Sequence, residues 1–207
     1  MHRRIFAIGD SHSLRCFENH PDIADSTVLF GHNKLDGKTA FNLPRHDKKI
    51  QKISKPLSGR HLIFVFGEVD IRIHIKYKHQ QTGKPINELI RNTADRYTGY
   101  VESLRKQGNN IHVFNVIPTG NFSTPEAQRW KKTLCYPFLA SREERTAYTK
   151  TLNRELADYC RLRDIPFIDI YNHLVDANGL RKKELIYDYS HLNNTTADLV
   201  LQHHSFA

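Results

Sequence analysis

Short apolar runs, each closed by a turn-forming residue, recur along the chain with longer amphipathic stretches between them. Arg4-Ile5-Phe6-Ala7-Ile8 runs into Gly9, and Thr27–Phe30 runs into Gly31. His61-Leu62-Ile63-Phe64-Val65-Phe66 ends at Gly67, and Ile111-His112-Val113-Phe114-Asn115-Val116-Ile117 stops at Pro118. Pro166-Phe167-Ile168-Asp169-Ile170 is the last such run. Runs this short predict strands, and the near-continuous apolar character of the third predicts a central parallel strand covered on both faces. From Ile86 to Lys106 the apolar residues Leu89, Ile90, Ala94, Tyr97, Val101 and Leu104 return on one helical face, with Gly108 as the stop. Ser141-Arg142-Glu143-Glu144 reads as a capping box opening a helix to Arg163, with Tyr148, Leu152, Leu156 and Tyr159 as its inner stripe. Thr195 to His204 reads as a short closing helix. Ile75–Pro85 and Pro118–Leu139 show neither period and are expected to be irregular insertions, the second holding the single tryptophan, Trp130. Strand–helix alternation of this kind predicts a three-layer α/β/α sandwich around a mostly parallel five-stranded sheet. In such sheets the site lies at the carboxyl ends of the strands, where Ser11, Gly67–Asp70 and Pro118–Asn121 fall.

Composition narrows the class without changing the fold. A chain of 207 residues, read as a single domain, buries about 70% of its unfolded surface without metals or disulfides. Cys16, Cys135 and Cys160 are odd in number and widely spaced, so they predict reduced thiols rather than a disulfide framework or a zinc knuckle. Met1-His2-Arg3-Arg4 leads directly into a strand, which leaves no room for a signal-peptide apolar region, and no apolar stretch approaches the ~18 residues of a membrane span. The expectation is a cytoplasmic protein. The net charge of +9 is spread over separate basic clusters and reads as a solvated basic surface, with an anionic partner as the alternative. Neither RNP-type aromatics nor zinc-finger spacing is present, so a nucleic-acid partner is not expected. Oligomeric state is not legible.

The chemistry concentrates in two segments. Gly9-Asp10-Ser11-His12-Ser13 sets a serine at the end of the first strand, where backbone N–H groups can face developing negative charge. Asp188-Tyr189-Ser190-His191, near the other end of the chain, offers a carboxylate three residues before a histidine. In one compact turn that carboxylate can take the Nδ1 proton and leave Nε2 free to act as a base. Together the segments supply a nucleophile, a base and an orienting carboxylate.

With these residues, the chain resembles the SGNH, or GDSL-type, hydrolases from residue 5 to residue 193. The matching blocks are Gly9-Asp10-Ser11, an isolated glycine after the second run, Gly67-Glu68-Val69-Asp70, and Asp188-Tyr189-Ser190-His191. The resemblance implies a flavodoxin-like fold and acyl transfer through an acyl-serine, without a cofactor. Ser11 is then the nucleophile, His191 the general base and acid, and Asp188 its orienting partner. The N–H groups of Ser11 and Gly37 are the implied oxyanion donors, Gly31 being the other glycine considered. One block departs from the family pattern: Val69 stands where an asparagine usually donates to the oxyanion, a loss that typically costs ~10²–10³ in rate. The candidate replacements are Arg72, His74, Asn115 and Asn121. Arg72 is favoured, with His74 on the same side if the chain stays extended, and an ion pair from Arg72 to Glu68 or Asp70 is the competing expectation. Asp10 and Asp70 complete the oxyanion and substrate-binding candidates. Gly-Glu-x-Asp-x-Arg also resembles a subset of the family associated with bacterial surface-polysaccharide gene clusters.

The resulting expectation is a serine esterase or O-acyltransferase acting on a small acyl ester, an acylated saccharide among the candidates. Two other readings compete. Asp10-Ser11-His12 and Gly67-Glu68-Val69-Asp70-Ile71-Arg72 superficially resemble two blocks of the calcineurin-type metallophosphoesterases, but Glu68 replaces the bridging aspartate and the later histidine blocks are missing, so a dinuclear site lacks ligands. A catalytically weak or inactive carbohydrate-binding protein on the same fold is favoured by Val69 and opposed by the intact Ser-Asp-His set.

Overall fold

The computed structural model describes residues 5–25, 35–120 and 139–206. Five parallel strands form one sheet in the order β2-β1-β3-β4-β5. The chain runs through β1 (Ile5–Gly9), helix α1 (Ser11–Phe17), β2 (Ile23–Asp25), a 3-10 segment (Ala40–His46), α2 (Asp47–Ser54) and β3 (His61–Val65). It continues through a π-helical turn (Asp70–His74), α3 (Ile75–Thr82), α4 (Ile86–Arg105), β4 (Asn110–Phe114), α5 (Arg142–Leu162), β5 (Phe167–Ile168) and α6 (Thr195–His203). This is the α/β architecture with helices on both faces that the strand–helix alternation predicts.

Side-chain alternation divides the strands between two cores. Phe6, Ile8, Leu62, Phe64 and Val113 pack with Ile50, Ile90, Tyr97, Val101, Leu152 and Leu156 from α2, α4 and α5. Ile5, Ala7, Ile63, Val65 and Phe114 pack with Cys16, Phe17, Ala197 and Val200 from α1 and α6 on the other face. The capping box is formed in full: Ser141 Oγ accepts from Glu144 N–H at 3.1 Å while Glu144 accepts from Ser141 N–H at 2.8 Å. Cys16 and Cys160 are fully buried, and burial pushes each thiol up to about 12.

One expectation changes. The segment 75–85 is not irregular: Ile75–Thr82 is helical, stopped by Gly83 in a left-handed conformation (φ 70°). Its periodicity is obscured because only Ile75 is buried while lysines and glutamines cover the rest. The strand beside β1 is β2, paired through Ile23, Ala24 and Asp25. Thr27–Phe30, Gly31, Asn121, Trp130 and Cys135 lie outside the described residues.

The end of the sheet away from Ser11 carries a chain of imidazoles. His61 Nδ1 lies 3.0 Å from His112 Nε2, and His112 Nδ1 lies 2.9 Å from His204 Nε2. Phe206 packs against all three rings at 4.9–5.6 Å. Burial first, then the charges of His204, His61 and Arg105, hold His112 down at about 3. The unfolded chain takes up a proton near 6.5 that folded His112 refuses. Stability is therefore full above that value and is lost as pH falls toward 3. Urea unfolding is expected to show a loss of about 2 kcal/mol from His112 alone between pH 7.5 and pH 5, and His112→Gln is expected to flatten that pH dependence.

Candidate active site

The nucleophile candidate is placed by a close approach of two strands. A Cβ on Gly9 would lie 2.7 Å from Ser13 Cβ and 2.9 Å from Val65 Cβ, and would overlap Val65 O. Only glycine lets β1 end against β3 and turn directly into α1. Asp10 caps that helix, its Oδ1 accepting from His12 N–H at 2.9 Å. Ser11 thereby becomes the first helical residue at the carboxyl end of β1. The second serine of the motif, Ser13, donates to Asp25 Oδ2 at 2.5 Å and ties α1 to β2.

His191 meets Ser11 from the far end of the sequence. Its Nε2 lies 2.9 Å from Ser11 Oγ, and its Nδ1 lies 2.8 Å from Asp188 Oδ2. Asp188 Oδ1 also accepts the N–H groups of Ser190 and His191, each at 2.8 Å, so the Asp-x-x-His turn folds around its own carboxylate. Burial raises the Asp188 pKa, but hydrogen bonds from His191 and Ser190 and the charge of His191 outweigh it and hold the carboxyl well below the usual range. An ionised acceptor on Nδ1 selects the tautomer whose Nε2 can receive the Ser11 proton.

Beside this line lies a second ionisable group that the sequence motifs did not identify. His12 is 1% exposed, and its Nε2 sits 2.9 Å from Glu68 Oε2, while its ring lies 4.6 Å from that of His191. The same Glu68 oxygen is 3.3 Å from Arg72 Nε. Burial opposes ionisation of Glu68, yet the charges of Arg72 and His12 overcome it and hold the carboxyl far below its ordinary value. Burial and the neighbouring charges push His12 down to about 4, against the pull of Glu68. The available signal was a histidine directly after the serine and a glutamate directly after Gly67.

The remaining candidates are distributed as follows. Arg72 pairs with Glu68, the ion pair that competed with a free donor in the sequence reading. The chain over residues 70–74 coils as a π-helical turn instead of staying extended, so His74 does not extend the line of Arg72. Its Nδ1 lies 3.4 Å from Asp70 and its ring 4.9 Å from Phe41. Asp70 is fully buried and accepts the N–H groups of Ala40 and Phe41 at 2.6 and 3.2 Å, so it anchors the backbone just after the Gly37 turn. Gly37 itself has φ 65°, and the neighbouring Asp36 carboxyl, raised by burial, feels the charge of His191. Asp10 is fully buried, and burial followed by repulsion from Glu68 raises it well above the carboxylate range despite the His12 N–H. Asn115 is occupied: its Oδ1 accepts from Ile170 N–H at 2.9 Å and its Nδ2 donates to Val116 O at 3.1 Å. Val69 is buried and apolar, so its side chain offers no donor.

A cavity of about 350 Å³ opens beside Asp188, walled by Thr119, Gly120, Arg181, Tyr187 and Tyr189. Arg181 is buried, donates from Nε to Pro118 O at 2.6 Å, and is pushed down to about 10 by that burial. Among the described residues no group of three His, Cys, Asp or Glu side chains is arranged to hold a metal ion. Asp10, Glu68 and Asp70 instead face a helix N-terminus, a guanidinium with an imidazole, and a backbone turn.

No family model matches the sequence, and no curated protein matches it. Solved structures do. A GDSL-like lipase from Bacteroides thetaiotaomicron aligns over 97% of this chain and 85% of its own at TM-score 0.63 and 16% identity. The fold is that of the GDSL-type hydrolases. The lipase/acylhydrolase from Enterococcus faecalis, at TM-score 0.54 and 16% identity, covers 97% of this chain and 94% of its own. An acetyl xylan esterase aligns at TM-score 0.54 and 14% identity over 96% of this chain and 98% of its own. At such identities the likeness is one of fold, and the site must be argued from its own residues.

The Glu68 group makes a direct prediction for stability in this GDSL-type fold. Glu68→Ala strands Arg72 and His12 without their carboxylate and is expected to cost about 3–5 kcal/mol in denaturant unfolding. Glu68→Gln keeps hydrogen-bonding capacity and is expected to cost less.

Proposed function

We propose that this chain, acting as a single SGNH-type domain, is a serine-dependent esterase or O-acyltransferase that works through an acyl-serine. The observation that carries this reading is the unbroken line Ser11 Oγ–His191 Nε2 (2.9 Å) and His191 Nδ1–Asp188 Oδ2 (2.8 Å). Ser11 Oγ attacks the ester carbonyl carbon and His191 Nε2 takes its proton. The imidazolium, facing Asp188, then returns that proton to the leaving alkoxide as the C–O bond breaks. Water, or a sugar hydroxyl in a transferase, enters by the reverse sequence and frees Ser11.

The tetrahedral oxyanion is stabilised in this reading by the N–H groups of Ser11 and Gly37, with Arg72 supplying charge where Val69 cannot donate. Support for Arg72 comes from its fixed position: Glu68 holds its Nε, and Glu68 is held in turn by the residue next to the nucleophile. The cavity beside Asp188, with Tyr187 and Tyr189 in its wall, has room for the alcohol portion of the substrate, and an acylated saccharide fits its mixed aromatic and polar lining. Val69 keeps one other reading in play, a saccharide-binding protein with little turnover.

A fluorophosphonate probe is expected to label the wild-type chain and not Ser11→Ala, with no effect of a chelator. Loss of labelling at Ser11 with retained glycan binding would establish the non-catalytic reading. Chelator-sensitive phosphodiester turnover would establish a metal enzyme. Asp188→Asn is expected to lower kcat on a neutral acetyl ester by about 10⁴ with the fold intact. Arg72→Met is expected to lower kcat by ~10²–10³ with KM little changed, and Arg72→Lys to recover part of it. An unchanged kcat in Arg72→Met removes Arg72 from the oxyanion site.

A further inference from the structure

A second cavity, of about 330 Å³, lies between the 3-10 segment and helices α3 and α4. It shares no lining residue with Ser11, Asp188, His191 or the cavity beside them. Its interior is apolar, formed by Phe41, Ile75 and Leu89, and its rim carries Arg45, Lys78 and Lys84. Among the described residues no carboxylate lines it. Glu88 pairs with Lys84 from outside the lining, at 2.7 Å, and Asp70, fully buried, lies 3.4 Å from His74 Nδ1. Among the described residues no carboxylate pairs with Arg45 or Lys78. The positive potential reaches beyond the rim: after burial, the charges of Lys38, Lys49 and Arg45 hold His46 below its ordinary value. In the wall, the Phe41 ring contacts both His74, at 4.9 Å, and the Arg96 guanidinium, at 5.0 Å.

From this arrangement we infer that the cavity binds a single-chain amphiphile with an anionic head, the alkyl part against Phe41, Ile75 and Leu89 and the head at Arg45 and Lys78. Apolar burial supplies affinity and the two cations supply head-group selection, because a neutral head leaves both of them without a partner. The volume lies at the lower end of the range for small-molecule pockets, enough for one short chain. The site also has a physical line to the Gly37 turn. Asp70 contacts His74 in the cavity wall and holds the Ala40 and Phe41 N–H groups, so an occupant pressing on Phe41 acts on the backbone following that turn. The inference does not depend on acyl transfer.

The test is calorimetric titration of full-length Ser11→Ala protein with decyl phosphate, decyl glucoside and inorganic phosphate, each below micelle formation. Decyl phosphate is expected to bind at least about tenfold more tightly than either the neutral amphiphile or the head alone, with affinity falling as salt rises. Arg45→Glu with Lys78→Glu, both surface changes, is expected to weaken decyl phosphate about tenfold or more, and Asn92→Trp, which fills the mouth, to abolish binding. Lys150→Glu, remote from the cavity, is expected to leave it unchanged. Equal affinity for the neutral and anionic amphiphiles overturns the inference. So does binding indifferent to Arg45, Lys78 and Asn92, or binding to anionic vesicles without binding to the monomeric amphiphile.

Discussion

A buried carboxylate organises the end of the sheet where the site forms. Glu68 follows β3 and is almost removed from water, and an ion in that position must be paired if the fold is to tolerate it. Its partners come from two helical turns: His12 from the first turn of α1, which follows β1, and Arg72 from the π-helical turn after β3. The two turns meet because β1 and β3 are adjacent parallel strands in register, Gly9 opposite Val65. The switch in strand order at β1 opens the crevice in which they sit. Satisfying one charge therefore fixes His12 beside the nucleophile, the imidazole against which His191 packs, and the position of the Arg72 side chain.

Around that anchor the site separates its carboxyl groups by environment. Asp188 is surrounded by N–H donors and an imidazole and is held ionised. Asp10 is buried beside Glu68 and is driven toward the neutral acid. Asp70 is spent on two backbone N–H groups of the segment that follows the Gly37 turn. Three acidic residues of the motifs thus take three different tasks, decided by which donors each one meets. The same logic separates the two histidines: His191 bridges a hydroxyl and a carboxylate, whereas His12 is occupied by Glu68 and lowered by burial.

Legibility varied with the range of the interaction. The capping box at Ser141, the long helix from Ile86 and the buried strands at Ile5, His61 and Asn110 rest on local pattern, and they appear in the structure within a few residues of their expected bounds. Helix α3 escaped because a surface helix with one buried residue leaves almost no periodic signal. The serine and the Asp-x-x-His turn were visible as motifs because each is compact in sequence. The π-helical turn at Asp70–His74 was not visible, and it decides that Arg72 faces Glu68 while His74 faces Asp70 and Phe41. Asn115 looked like a free amide in the sequence and is consumed in binding the backbone at Val116 and Ile170.

By itself the sequence determined the alternation of strands and helices, the two chemistry-bearing segments and the absence of an amide at Val69, since these depend on residue identity and near-neighbour spacing. Tertiary structure alone decided the pairing of Glu68 with His12 and Arg72, the approach of His191 to Ser11 across the length of the chain, and the two cavities with their different charge. Those features depend on which strand ends lie side by side and on how deeply each ionisable group is buried. Neither quantity is a property of any short stretch of residues, and both set the strength of every electrostatic interaction in the site.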